Sequence, residues 1–276
     1  MTAQLFSDIA SLWGKYGSVY LNGIKNTLLL AVTATALGCI IGFICGILQT
    51  IPCAQNDSVF KKILLKLIRI IIRIYVEVFR GTPMILQAVF IYYGVPYFTG
   101  VTFKSIWAVS ILVVSINTGA YMAESVRGGI MSVDPGQTEG AKAIGMNHFQ
   151  TMLYVILPQT LRNIMPQIGN NYIINVKDTS VMFIIGFSEF FSVHKMVAGA
   201  VFKYFPSAAI EMVGYLTMTL LASFILRFVE KKLAGPENFE LLSADQLVMT
   251  AGTYNSPAKG TPFDERSMEF RGGDGK

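Results

Sequence analysis

The sequence predicts an all-α integral membrane protein with five transmembrane helices and a helical coupling loop on the cytoplasmic side. Three observations lead there. Residues of the AVILMFWYC set make up 53% of the 276 residues, charged residues only 14%, and the mean hydropathy is +0.51; a soluble domain carries about 25% charge. Uncharged runs of about 20 residues recur, each long enough as a helix to cross a hydrocarbon core of about 30 Å. The basic residues behind the net charge of +5 sit between these runs, which points to a lipid surface and away from nucleic acid. The composition excludes a disordered chain, a disulfide scaffold and most soluble enzymes.

Residues 1–27 mix polar residues with Phe6, Trp13, Tyr16 and Tyr20, and a short interfacial segment is expected. No basic n-region with a small-residue cleavage site precedes the first apolar run, so no removable signal peptide is expected. The first span is residues 28–48. Ala34, Gly38, Gly42 and Gly46 recur there every fourth residue, a small-residue stripe on which another helix can pack closely. A polar loop over 49–60 holds Pro52, Gln55, Asn56 and Asp57. Lys62, Lys66, Arg69, Arg73 and Glu77 then follow at steps of four, three, four and four. They share one helical face opposite Ile and Leu, the pattern of an amphipathic helix lying along the cytoplasmic lipid surface.

The second span is expected over 81–103, with Pro83 at its start and Pro96 and Gly100 at its end. The third is 105–123, where Ser110, Ser115, Asn117 and Thr118 point to a face turned toward protein or water. After a loop over about 124–162, a fourth segment is expected over 164–191, interrupted at Lys177-Asp178. The fifth is 207–226, closed by Arg227, Lys231 and Lys232. Residues 1–235 then form the membrane domain and 236–276 a polar, disordered cytoplasmic tail. With the C-terminus inside, all of the 22 Lys and Arg except Lys15, Lys25, Lys104, Lys195 and Lys203 fall on cytoplasmic segments. That bias places the N-terminus outside.

Cys39, Cys45, Cys53, His148 and His194 lack metal-ligand spacing. No phosphate-cradling Gly-Lys-Ser/Thr loop occurs. No metal and no cofactor are therefore expected, and any ATP that drives the protein must bind a partner chain.

The loop carries the most specific signal. It reads Glu139-Gly140-Ala141, three residues, Gly145, nine residues, Val155, one residue, Leu157-Pro158. This spacing resembles the coupling loop of permease subunits of ATP-binding-cassette (ABC) importers, with Gly140 in place of an Ala and Val155 in place of an Ile. A short helix ended by Gly145 and a second ended by Pro158 would make a rigid knob; Gly140 would weaken the first by about 1 kcal/mol. Arg80-Gly81-Thr82-Pro83, Tyr92-Tyr93-Gly94-Val95-Pro96, Asn117-Thr118-Gly119-Ala120-Tyr121 and Lys177-Asp178-Thr179-Ser180 narrow the resemblance to the polar amino acid permeases. It covers roughly residues 20–232.

The resemblance implies a bacterial inner-membrane permease, not itself an enzyme, for binding-protein-dependent import of polar amino acids. Its partners would be ABC ATPase subunits docked on Glu139, Gly140, Ala141, Gly145, Leu157 and Pro158, a second permease copy or homologue, an extracytoplasmic amino acid-binding protein and membrane lipid. An ion-gradient-driven secondary amino acid transporter is the alternative; it would show internal repeats with paired broken helices.

Gln167, Asn171, Asn175 and Asp178 are spaced four, four and three, one polar stripe on the fourth segment. Polar groups in a span face a cavity or a partner helix. As a substrate path, Asp178 would meet an ammonium and the Asn side chains a carboxylate. As helix glue, the stripe would hold neighbouring helices by hydrogen bonds.

Overall fold

The computed structural model describes residues 2–54 and 57–233. Gln55, Asn56 and the expected tail of 236–276 lie outside the described residues. Every element among them is helical.

Helix α1 (Thr2–Thr50) is one helix of 49 residues, about 74 Å long at 1.5 Å per residue. The expected interfacial segment over 1–27 is therefore the N-terminal half of the same rod. Nothing in residues 2–50 breaks a helix: the first proline is Pro52, and α1 stops just before it. The N-terminal half is also held tertiarily, since Leu12 and Tyr20 are buried against the last two described helices, through Phe190, Val193, Val197, Ile210 and Met218.

The small-residue stripe meets helix α5 (Ile106–Met131). A Cβ built on Gly38, Gly42 or Gly46 would fall 2.6, 2.3 and 2.6 Å from atoms of Thr118, Met122 and Val126. Those partners are themselves four residues apart, so two ridges run side by side. Ala34 continues the contact in a cluster with Val113 and Val114.

Helix α2 (Val59–Gly81) starts at Ser58, whose hydroxyl accepts from Lys61 N. It buries Leu65, Ile72 and Val76, and Tyr75 Oη donates to Ile116 O on α5 at 2.6 Å. At its end, Pro83 has no N–H to give to Phe79 O. Gln87 Nε2 (2.9 Å) and Asn117 Nδ2 (3.1 Å) bond that carbonyl instead, and Asn117 also donates to Gln87 Oε1 at 3.0 Å. The Arg80-Gly81-Thr82-Pro83 break and the Asn117 span are thus one structure.

The second expected span is a helical rod in three parts: α3 (Met84–Val89), a π-turn (Phe90–Gly94) and α4 (Val95–Thr99). Pro96 does not end it. The wide turn leaves Pro96 in the first turn of α4, where no N–H is needed. Gly100, at φ 70°, ends it and donates to Pro96 O at 2.8 Å.

Helix α5 runs past the expected 123 into the loop. The loop itself holds α6 (Pro135–Ala143) and α7 (His148–Thr151). After a π-turn (Met152–Ile156) the chain continues into α8 (Leu157–Asp178), then a 3₁₀ segment (Thr179–Ile185). Helix α8 begins earlier than expected and carries Pro166 inside it. The expected interruption at Lys177-Asp178 is where α8 gives way to the tighter 3₁₀ turn. Helix α9 (Phe190–Val201) follows at a bend of 53°, and α10 (Tyr204–Leu233) closes the described chain.

Among the described residues three helices are long and apolar enough to cross a bilayer: Gln4–Thr50, Ile106–Met131 and Tyr204–Lys232. Counted as one broken span, the bent pair His148–Ile185 and Phe190–Val201 makes a fourth. The remaining expected span is the shorter apolar stretch Met84–Thr99, about 24 Å as a helix; a count of five depends on it.

Candidate coupling loop and buried polar stripe

The loop is built from local capping. Asp134 Oδ1 accepts from Gly136 N at 2.7 Å, and Pro135 occupies the first turn of α6. At the other end Gly145 sits at φ 84°. Its N–H donates to Lys142 O, and Met146 N–H donates to Ala141 O, both at 3.0 Å. These two bonds form a Schellman cap. No atom lies within 4 Å of a Cβ placed on Gly145, so the backbone angle, not space, demands glycine.

Two residues later α7 opens with a capping box: Gln150 N to Asn147 Oδ1 and Asn147 N to Gln150 Oε1, both 2.9 Å. Side chains then tie the loop to its flanking helices. Gln159 Nε2 donates to Gln137 Oε1 at 3.3 Å, and Asn163 Nδ2 to Ser132 Oγ at 3.3 Å. Ala141 is buried under α6, while Glu139 and Gly140 face outward. The result is a rigid knob that exposes Ile144, Phe149 and Tyr154, at 77%, 72% and 67%.

Pro158 was expected to end the second helix of the knob. It does not. Leu157 N–H reaches back to Met152 O across the π-turn, and Pro158 stands in the first turn of α8. The missing donor costs nothing there. Leu157 is partly exposed and Pro158 exposed, so both lie on the same continuous rod that carries the polar stripe.

The stripe divides. Asn175 is 4% exposed and its amide is fully used. Nδ2 donates to Thr35 Oγ1 on α1 at 2.8 Å and to Thr118 Oγ1 on α5 at 2.9 Å. Asn171, also buried, donates to Gln167 O at 2.9 Å and to Met122 Sδ at 3.4 Å. These two asparagines tie α1, α5 and α8 together. Gln167 is half-buried, and so is Asp178, whose carboxylate makes no hydrogen bond or ion pair among the described residues. Asp178 is therefore the stripe residue that no hydrogen bond ties to another helix, with Lys177 as the charge that acts on it.

A second buried polar group lies among α1, α9 and α10. His194 places Nδ1 2.9 Å from Ser207 Oγ and 3.8 Å from Glu211 Oε2. Tyr20 Oη is 2.7 Å from the same Ser207 Oγ. Beside them Glu189 caps α9 through Phe191 N and Ser192 N and accepts from Tyr215 Oη at 3.0 Å. All of these side chains except Tyr215 are buried. The available signal was Glu211, an acid inside the last apolar run.

The description "binding-protein-dependent transport system inner membrane component" matches residues 59–235, more than half of the chain. The Escherichia coli (strain K12) glutamine transport system permease protein GlnP is 31% identical over 226 residues, covering 82% of this chain and 97% of that protein. A putative glutamine transport system permease protein GlnP of Rickettsia felis is 32% identical over 211 residues, 76% of this chain and 91% of that one. The crystal structure of an amino acid ABC transporter with histidines superposes at a TM-score of 0.69 with 32% identity, over 79% of this chain and 95% of that chain. An inward-facing structure of the MetNI methionine ABC transporter, at 17% identity and a TM-score of 0.65, covers 79% and 98% and shares the fold. The resemblance to polar amino acid permeases of ABC importers, read from the loop and its companion motifs, is borne out by these matches. The chain is thus a member of the inner membrane components of binding-protein-dependent transport systems, an ABC-type permease.

Proposed function

We propose that this permease forms the transmembrane path by which polar amino acids move inward, with ATP hydrolysed on a partner ABC ATPase. The observation that carries this reading is the knob of α6 and α7. It is capped by its own side chains at Asp134, Asn147 and Gln150 and by its own backbone at Gly145, and it presents Ile144, Phe149 and Tyr154 to the outside. A rigid body with an exposed apolar tip suits a groove on another protein, and it is covalently continuous with α8. Movement of the knob would therefore be transmitted along α8 to Asp178. A second permease copy or homologue would complete the path, and an extracytoplasmic binding protein would deliver the substrate. The GlnP relatives are named glutamine transport system permeases, which makes a zwitterion with a polar side chain the first substrate class to test. In this scheme Gln167 and Asp178 contact the path, while Asn171 and Asn175 hold the helices that form it. The N-terminus is placed outside and the knob in the cytoplasm of a bacterial inner membrane.

The test is uptake of labelled amino acid into proteoliposomes holding the permease, its ATPase and the binding protein. Uptake should stop when hydrolysis on the ATPase is blocked and persist when ion gradients are collapsed. The opposite pattern would establish a secondary transporter.

A further inference from the structure

Helix α2 has three faces. One buries Leu65, Ile72 and Val76. A second exposes Ile63, Leu67, Ile70 and Ile74. Between them run Lys62, Lys66, Arg69 and Arg73. Two cavities open side by side along this basic row, of about 630 and 410 Å³, and both are lined by Arg69 and Arg73. The larger reaches Gln49 at the end of α1 and Glu124 and Arg127 on α5; the smaller includes Lys62, Lys66 and the apolar Ile70.

The charge in this cleft is unbalanced. Among the described residues that line it, Lys66, Arg69, Arg73 and Arg127 meet Glu77 and Glu124 alone, and Glu124 is already engaged by Arg80. Arg69 gives one guanidinium nitrogen to Ile51 O, but its buried Nε has no partner among the described residues. Arg73 makes no hydrogen bond or ion pair among them. Guanidinium groups held in this way favour a phosphate, which can take two donors from one fork. The cleft lies at the same end of α1 and α5 as the knob, next to an apolar strip. A basic pocket between membrane helices beside exposed apolar surface fits a phosphodiester with acyl chains attached.

We propose that the cleft between α2 and the adjoining ends of α1 and α5 binds the headgroup of an anionic phospholipid. Arg69 and Arg73 hold its phosphate, and its acyl chains lie along Ile63, Leu67, Ile70 and Ile74. A free phosphate would satisfy the same arginines but leave that strip uncovered, so the lipid is the occupant the surface favours. Such a site requires only that the protein sit in a membrane and is independent of the direction of transport and of the substrate.

The test uses the full-length chain in nanodiscs of phosphatidylcholine doped with phosphatidylglycerol, followed by native mass spectrometry of the released protein. Wild type should retain phosphatidylglycerol over phosphatidylcholine. The double variant Lys66→Gln/Arg73→Gln should reduce that preference by about tenfold. Neither side chain makes a fold-holding contact among the described residues, and an unchanged melting temperature would confirm that the variant is folded. Lys231→Gln, on α10, should leave the preference intact. Equal retention of both lipids by wild type, or undiminished phosphatidylglycerol on the double variant, would overturn the assignment. So would inorganic phosphate that binds the lipid-free chain and displaces phosphatidylglycerol, which would mark a soluble-anion site. A cross-link from a cysteine at position 70 to a second copy would instead make this face an interface between permeases.

Discussion

Gly42 sits where α1 and α5 come closest. In Gly42→Ala the new Cβ would lie 2.3 Å from Met122 Cβ, 2.8 Å from Met122 C and 3.0 Å from Ala123 N. Carbon atoms rest at about 3.5–4.0 Å, so at least one ångström must be found. Two of the three atoms are backbone of α5 and cannot rotate away. The helices must separate, which also loosens Gly38 on Thr118 and Gly46 on Val126. Overpacking of this kind costs about 1–3 kcal/mol, and the rigid obstacle puts it at the upper end. Alanine offsets about 1 kcal/mol of this through its better helix propensity. The net effect is a loss of about 2 kcal/mol, a fall of roughly 4–8 °C in melting temperature for a chain of this size. Gly14→Ala is the control, because a Cβ there meets nothing within 4 Å and only the propensity gain remains. Melting of the detergent-solubilised chain, followed by tryptophan fluorescence, measures both. If Gly42→Ala melts with Gly14→Ala, the glycine stripe does not set the α1–α5 distance.

Gly145→Val puts a β-branched residue at φ 84°, a strain of about 1–2 kcal/mol; the spans should fold while substrate-stimulated ATP hydrolysis in the assembled complex falls, and normal stimulation would remove the coupling role from this turn. Asn175→Leu deletes the amide that joins Thr35 and Thr118; it should cost about 1–2 kcal/mol in thermal stability, whereas lost transport at unchanged stability would make Asn175 a path residue. Asp178→Asn keeps shape and removes charge, so transport should fall about tenfold, worth about 1.4 kcal/mol, with basal ATP hydrolysis intact; unchanged uptake of neutral and cationic amino acids alike would take Asp178 out of the path. In a cysteine-free background, an impermeant thiol reagent added outside sealed cells should label a cysteine at position 2 and not one at 147; labelling at 147 would reverse the orientation.

Much of this permease is written in local sequence. The loop spacing predicts the turn at Gly145 because a Schellman cap depends on one residue's φ and on bonds within six residues. The stripe of Ala34, Gly38, Gly42 and Gly46 announces a close helix contact because a missing Cβ is visible without knowing the partner. Apolar length likewise marks α5 and α10. Three features were decided only by the tertiary structure. Residues 1–27 look interfacial by composition, yet they continue α1 because α9 and α10 bury Leu12 and Tyr20. Pro96 and Pro158 read as helix ends, but a π-turn before each leaves them in a first turn, and no pattern of residues announces a wide turn. The polar stripe shares one helical face but not one role. Asn175 met two threonines contributed by helices 57 and 140 residues away in sequence, while Asp178 met none. Which polar group is consumed as glue and which is left without a partner depends on what another helix places opposite it, and that is a property of the packed bundle.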